Sequence, residues 1–325
     1  AEYAQKEAAF LFNYGYLGVI GTVASLAGPD DVVVMDKLAH ACIVDAAFMA
    51  PGQVRVFRHN DMNSLEAVLK RTNRGRKGGV MILTEGVYGM TGDLAKIPEI
   101  CDLKEQYDAR LFIDDAHGWG VMGDNGRGVG EYYGVQDKID VYFGTFAKAF
   151  ASIGGFSAST QAVVDWIGYN ARTQVFAKSL PMVYVRSLQR TVPLVRDGSH
   201  LRAKMWENSN RLKTGLRDLG YFVGDGESPI CAVFVPIGEE SVDFVGGQTV
   251  TYLRDRGVFV TAVAYPVIPP GLLMFRMIPT AAHTDAEIDE TVAVFKTMRD
   301  ELGIRVEMTG DDLRKVNKVY GRSST

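Results

Sequence analysis

A chain of 325 residues, 47% apolar and 23% charged, is long enough for about two domains with sizeable cores and too long for a disulfide-stapled mini-protein. Its 35 basic and 39 acidic side chains leave a net charge of −4, which argues against a broad basic surface for nucleic acid or an anionic membrane. Cys42, Cys101 and Cys231 are odd in number, far apart and form no CxxC pair, so no disulfide framework and no metal site is expected, and a reducing, cytoplasmic setting fits.

In chain order, short β-branched runs at 32–35 (VVVM), 54–57 (VRVF), 80–84 (VMILT), 110–114 (RLFID) and 140–145 (DVYFGT) read as buried strands. Helical patterns at 40–50, 62–72 and 97–107 separate them, the second starting after an Asn60 or Asp61 cap. Such alternation predicts a mostly parallel sheet covered on both faces. Beyond a long helical stretch at 181–220 the grammar changes. Strands at 230–236, 258–264 and 272–278 surround one helix at 242–256, and a charged amphipathic helix follows at 284–302. Residues 1–198 are therefore expected to form a large domain, and 199–325 a smaller α+β domain ending in a loosely ordered tail, RKVNKVYGRSST. No apolar run approaches the roughly 18 residues of a transmembrane segment, and the opening AEYAQKEAAF lacks the basic and apolar regions of a signal peptide.

Three strings fall at the C-terminal ends of predicted strands, where open α/β sheets bind ligands. Gly118-Trp119-Gly120-Val121-Met122-Gly123 matches G-x-G-x-x-G, but a dinucleotide fingerprint needs a helix next, and the glycine-punctuated DNGRGVGE cannot start one there. Asp114-Asp115-Ala116-His117 looks like the acidic box of a helicase-type ATPase, yet the chain has no G-x-x-x-x-G-K-[ST] phosphate loop. The third string, GTFAKAF (144–150) followed by Gly154-Gly155, sets Lys148 just past a buried strand among small and apolar residues. A lone lysine there usually snorkels into solvent, whereas a buried one is rare and has a lowered pKa. Asp114, at the end of another strand, changes the weighing. An acid at one strand end and an imine-forming lysine at a neighbouring one are what pyridoxal phosphate requires: the lysine holds the aldehyde carbon, and the acid keeps the ring nitrogen protonated.

FIDDAHGWGVMGDNGRG followed by DVYFGTFAKAFASIGGF closely resembles the α-oxoamine synthase family of fold-type I pyridoxal-phosphate enzymes. Its members include serine palmitoyltransferase, 2-amino-3-ketobutyrate CoA ligase, 8-amino-7-oxononanoate synthase and 5-aminolevulinate synthase. The likeness continues through the ordered blocks FNYGYLG, DKLAHACIVD, RHNDMNSLE, TEGVYGMTGD, ARTQVFAKSLP and RMIPTAAHT. It implies an aspartate aminotransferase-like α/β large domain with the smaller α+β domain, and pyridoxal 5′-phosphate as cofactor. In its terms, Gly15 and Tyr16 hold the cofactor phosphate through backbone N–H groups at a helix start, and Thr145 binds it with a hydroxyl. His40 stacks on the pyridine ring, Asp114 partners the ring nitrogen and His117 bonds the phenolic oxygen. Lys148 is the Schiff-base lysine and the base at Cα, and the amino-acid carboxylate is oriented by Arg276, whose planar fork suits it, or by His40. Ser179 touches the phosphate of the neighbouring subunit in a homodimer with shared active sites. Taken singly, His40 and His283 each suit a helix start, Asp114 a strand-end cap and Arg276 a surface ion pair; the constellation carries the reading. Two residues depart from the pattern. Gly89 stands where relatives commonly carry a serine near the phenolic oxygen, and Ala147 where many serine palmitoyltransferases carry a phosphate-binding serine. Each removes a hydrogen bond worth on the order of 1 kcal/mol.

The implied reaction is the decarboxylative condensation of an amino acid with an acyl-CoA. GTFAKAF and ARTQVFAKSLP look more like serine palmitoyltransferase than like the glycine-using relatives, whose lysine string more often reads GTLGKA. They point to L-serine plus a long-chain acyl-CoA, giving a 3-keto sphingoid base. The alternatives are glycine with a short acyl-CoA and the 8-amino-7-oxononanoate synthase reaction. A non-catalytic partner subunit is disfavoured by the intact Lys148. Peripheral membrane contact, to collect lipid thioesters, is compatible with these readings. Family members carry several dozen residues before the segment that matches AEYAQKEAAF, so an N-terminal arm is expected ahead of it.

Overall fold

β1 (Ala8–Phe12) and α1 (Gly15–Leu26) are followed by five strands that share one direction: β2 (Val32–Asp36), β3 (Gln53–Phe57), β4 (Val80–Glu85), β5 (Arg110–Asp114) and β6 (Val141–Thr145). Between them lie α2 (Ala41–Met49), α3 (Met62–Asn73), α4 (Ile97–Gln106) and the single turn α5 (Val129–Tyr132). These elements belong to a computed structural model that describes residues 1–238 and 242–322. The interior strands are apolar almost throughout because both of their faces are covered. Val33, Val34, Ile82, Leu83, Phe112 and Ile113 are fully buried, each contributing roughly 1.5–3 kcal/mol of transfer free energy. β3, at the sheet edge, is only partly buried. Helix starts follow the sequence signals: Asp61 caps α3 by accepting the Ser64 N–H at 2.8 Å.

β7 (Gly155–Ser159) returns antiparallel to β6, and β1 pairs antiparallel with β7. The sheet thus has seven strands in the order β1-β7-β6-β5-β4-β2-β3, parallel over five of them. α6 (Gln161–Asn170), α7 (Arg172–Val175) and α8 (Met182–Arg196) follow. The predicted helical stretch at 181–220 is therefore two helices, broken where Gly198 ends the first.

The chain divides into two compact units, Ala1–Tyr88 with Leu94–Ser199, and Gly89–Asp93 with His200–Thr325. The second contains α9 (Ser199–Asp218), β8 (Phe222–Val223), β9 (Cys231–Pro236), α10 (Val242–Asp255), β10 (Thr261–Val263), β11 (Leu272–Met277), α11 (Asp285–Leu302) and α12 (Gly310–Val319). Its four strands are antiparallel in the order β10-β11-β9-β8, with Arg276 opposite Ala232 and Thr261. Leu212, Leu216, Phe275 and Phe295 pack its core. Gly89–Asp93 is stitched into this unit: Ser228 N–H donates to the Gly92 carbonyl at 3.0 Å, Arg276 Nε donates to the Gly89 carbonyl, and Met90 packs beside Phe234 and Met274.

α11 starts in a capping box, Thr284 with Glu287, and stops at Gly303, whose φ of 64° suits a residue without a side chain. Thr284, not His283, is thus its cap; His283 turns back so that Nδ1 accepts the Thr280 N–H at 3.0 Å. The expectation of a loose tail is overturned for most of RKVNKVYGRSST. α12 has its own capping box, Thr309 with Asp312, and buries Val316 and Tyr320 against Phe234 and Met274. Residues 323–325 of that string lie outside the described residues. No helix among the described residues is long and apolar enough to cross a membrane.

Candidate active site

The chain adds β3 on one side of β2 and then crosses to place β4 on the other. A crevice opens at such a switch point, beyond the C-terminal ends of the strands. Four buried polar residues end the strands there: Asp36, Glu85, Asp114 and Thr145. The loop after β2 carries His40, which caps α2; its Nδ1 accepts the Cys42 N–H at 3.2 Å. The His40 N–H in turn donates to Glu85 Oε1 at 2.8 Å, so one hydrogen bond ties β2's loop to β4 across the switch point. An Nδ1 that accepts leaves the imidazole proton on Nε2.

Asp114 sits opposite Glu85 in the β4–β5 register. Its Oδ1 accepts the Ala116 N–H at 3.1 Å and its Oδ2 lies 3.3 Å from Cys42 Sγ, which is also 2.9 Å from His40 Nδ1. Burial, followed by the charge of Asp114, pushes the Cys42 thiol far above its ordinary range, while the Lys148 ammonium pulls it the other way. Lys148 therefore lies within electrostatic reach of this cluster. It was expected in a buried frame, yet Ala147, Lys148 and Ala149 are all exposed in the turn that follows β6. His117 is half-buried in the turn after β5.

On β6, the Thr145 hydroxyl donates to the Gly154 carbonyl at 3.0 Å and accepts the Ala147 N–H at 3.3 Å. The start of α1 abuts it: a Cβ on Gly15 would come within 3.0 Å of Thr145 Oγ1. Tyr14 gives α1 no side-chain cap, so its first amides face outward with the positive end of the helix dipole. The Tyr16 hydroxyl is bonded to Asp45, and that bond raises its pKa, so the backbone of Tyr16 rather than its ring belongs to this edge. Ser179 is exposed between α7 and α8, next to Leu180, which packs toward Gly154. Arg276 belongs to the other unit, half-buried on β11 and anchored to the Gly89 carbonyl.

In the glycine string that imitated a dinucleotide fingerprint, Gly118 has another cause. Asp115 is fully buried, and its Oδ2 accepts from Tyr142 Oη at 2.7 Å and from Val129 N–H at 2.8 Å. A Cβ at Gly86, Gly118 or Gly128 would fall 2.1, 2.1 or 1.9 Å from its carboxylate oxygens. The glycines make room for an acid, and burial pushes that acid up to about 7. Among the described residues no group of His, Cys, Asp and Glu is placed to hold a metal ion.

The aminotransferase class I and II family matches residues 1–295. A cysteate-C-fatty acyltransferase from Capnocytophaga ochracea is 41% identical over 305 residues, 93% of this chain and 72% of that one. The chain belongs to the class I and II aminotransferase family, among its α-oxoamine synthases. An 8-amino-7-oxononanoate synthase from Geotalea daltonii, another similar chain, is 36% identical over 306 residues, 94% of this chain and 76% of its own length. Among solved structures, Sphingomonas wittichii serine palmitoyltransferase superposes with a TM-score of 0.86 at 31% identity, covering 93% of this chain and 74% of that one. A serine palmitoyltransferase solved with pyridoxal phosphate gives 0.87 at 29% identity, covering 93% and 75%. The seven-stranded sheet is thus that of the fold-type I transferases, and pyridoxal 5′-phosphate is the α-oxoamine synthase cofactor.

The residues present fit that cofactor. The Asp114 carboxylate is buried and receives a backbone N–H and a weak thiol donor, a setting suited to a cationic ring nitrogen. The uncapped start of α1 and the absent side chain of Gly15 form a cradle suited to a phosphate, and the Thr145 hydroxyl beside it joins once its proton turns from the Gly154 carbonyl. Cys42 and Glu85 received no role in the sequence analysis, although both fall inside its family blocks. Glu85 enters through cross-strand register, and Cys42 through a cap two residues on, which a linear reading does not display.

Proposed function

We propose that this chain is a pyridoxal-phosphate-dependent fatty acyltransferase, joining the α-carbon of a small polar L-amino acid to a long-chain acyl-CoA with release of CoA and CO₂. The observation that carries the reading is the juxtaposition of Asp114 and Thr145 at the ends of neighbouring parallel strands, with His40 tied across the switch point and Lys148 within reach of Cys42. The bound cofactor supplies an electron sink for the amino-acid Cα and a carbonyl carbon for an amine. Asp114 holds positive charge at the ring nitrogen, and His117 donates toward the ring's phenolic oxygen. His40 would stack on the ring, its imidazole proton on Nε2 while Nδ1 accepts the Cys42 N–H. Thr145 and the amides of Gly15 and Tyr16 hold the phosphate. Lys148 takes the proton from Cα and later returns one, while its exposure lets the amine swing between attachment and base work. Arg276 presents a planar fork to the amino-acid carboxylate. The Cα attacks the thioester carbonyl, the CoA thiolate leaves, and the carboxylate departs as CO₂. We further propose a cytoplasmic homodimer with shared active sites, Ser179 serving the partner's phosphate, and peripheral membrane contact to collect the acyl donor.

The lysine string favours L-serine as acceptor. The 41% identity to a cysteate-C-fatty acyltransferase favours a second reading, L-cysteate, which replaces the serine hydroxyl with a sulfonate on the same three-carbon frame. Purified protein loaded with pyridoxal phosphate is titrated with L-serine, L-cysteate and glycine while the cofactor absorbance is followed. Palmitoyl-CoA is then added and free CoA thiol is measured. A spectral response to serine or cysteate with thiol release on palmitoyl-CoA is expected, and the stronger responder identifies the acceptor. A response to glycine alone, with turnover only on short acyl-CoA, overturns the proposal.

A further inference from the structure

We infer that Cys42 is a positioning residue for this reaction, holding the ring of His40 and the carboxylate of Asp114 in fixed relation through its amide and its thiol. The inference deepens the function proposed above and rests on its reading of His40 and Asp114. Cys42 is buried near the start of α2. Its N–H donates to His40 Nδ1 at 3.2 Å, and its Sγ lies 2.9 Å from that nitrogen and 3.3 Å from Asp114 Oδ2. Nδ1 offers one in-plane lone pair, and the amide takes it. The thiol proton is left for the carboxylate, and the imidazole proton for Nε2.

Burial and the neighbouring negative charge keep the sulfur protonated, so it remains a donor. As a donor it is weak. It orients Asp114 while leaving most of the carboxylate's attraction for a cationic ring nitrogen, which a hydroxyl at the same place would draw down further. Glu85 fixes the opposite side of the same loop by accepting the His40 N–H. His40 is thereby held at Nδ1 and at its own backbone, and its other ring nitrogen, Nε2, carries the proton.

Two measurements test this. The infrared difference between the wild-type protein and Cys42→Ser isolates the Cys42 S–H stretch without any cofactor. A band lowered by hydrogen bonding, which moves back up in Asp114→Asn, is expected. A band at the free-thiol frequency, or one indifferent to Asp114→Asn, overturns the inference. With cofactor, Cys42→Ala is expected to weaken pyridoxal-phosphate binding about fivefold and to shift its absorbance, while Cys42→Ser recovers affinity to within about twofold and keeps the shift. Wild-type affinity and absorbance in Cys42→Ala overturn it as well. Should Cys42→Ala fail to fold, the infrared measurement decides alone. Failure of the functional reading looks different: the wild-type protein takes up no cofactor, or Lys148→Ala gives the same spectrum, with the S–H band unchanged.

Discussion

The two sheets of this protein place their buried polar groups differently. In the larger unit Asp36, Glu85, Asp114 and Thr145 all end strands on one edge, and their hydrogen bonds run to loop amides, a thiol and an imidazole-bearing loop. In the smaller unit β9 is apolar and buried along its whole length, and the buried polar groups around the sheet clamp backbone. Ser209 Oγ donates to the Pro229 carbonyl at 2.8 Å, Lys213 Nζ to the Ser228 carbonyl at 2.6 Å, and Asn208 Nδ2 to the carbonyls of Thr280 and His283. Parallel strands send their C-terminal ends to the same side, so the loops that follow collect there and chemistry accumulates. Antiparallel strands alternate their ends and gather no such edge. Substitutions in the first region should therefore change chemistry and spare stability, and those in the second should do the reverse.

The largest contrast is expected at Lys148. Lys148→Ala should lower turnover on the order of a thousandfold or more, yet leave the stability of the cofactor-free protein within about 0.5 kcal/mol, because the side chain is exposed. Thiol-release assays and calorimetry check both halves; a large loss of stability breaks the comparison. Next comes Phe295, fully buried against Tyr221 and Phe275 with ring centroids 5.6 Å away in each case. Phe295→Ala should cost about 3–5 kcal/mol in urea unfolding, with the cofactor absorbance of the folded fraction unchanged.

Asp115 is where the contrast should blur, because a group of the first region there governs stability. Its carboxyl is raised from 3.8 to about 7 by burial, so the folded chain keeps a proton that the unfolded chain has lost. The stabilisation is complete below the unfolded value and disappears as pH climbs through the folded one. Relative to Asp115→Asn, the wild-type protein should lose up to about 4 kcal/mol between about pH 4 and about pH 7, as read by denaturant unfolding across that range. Parallel curves for the two proteins would remove the buried acid from the account. The smallest effect belongs to the α11 cap: Thr284→Ala should cost about 1 kcal/mol with turnover unchanged.

Much of the larger unit could be read from the sequence. The interior parallel strands announced themselves as apolar runs because both faces are covered, and α3 was betrayed by Asp61. β7, with the composition GFSAS, carries too few large side chains to signal a strand, and the 310–319 helix hid behind a polar tail whose apolar residues are Leu313, Val316 and Val319, followed by Tyr320. The candidate site divides in the same way. Asp114, His117 and Lys148 stand in strings that resemble a family, whereas the contacts of Cys42 and Glu85 exist only once β2, β4 and β5 are aligned. Asp115 lay in plain view, but Gly118, one of the three glycines that accommodate it, stood in a string that matches a nucleotide fingerprint. In the chain Gly86 lies far from Gly118 and Gly128; in the fold all three surround one carboxylate.

The segment Gly89–Asp93 has a consequence for how the molecule is made. It joins the smaller unit through partners far along the chain, Arg276 lying 187 positions from Gly89. During synthesis these five residues emerge long before the strands that receive them, and must wait unpaired until β9 and β11 have left the ribosome. Closing so long a loop delays the contact more than it weakens it, since closure entropy grows only logarithmically with length. A gene fragment starting at residue 200 would therefore encode a unit with a piece missing, and a peptide spanning the turn after Tyr88 is the natural complement to supply in trans.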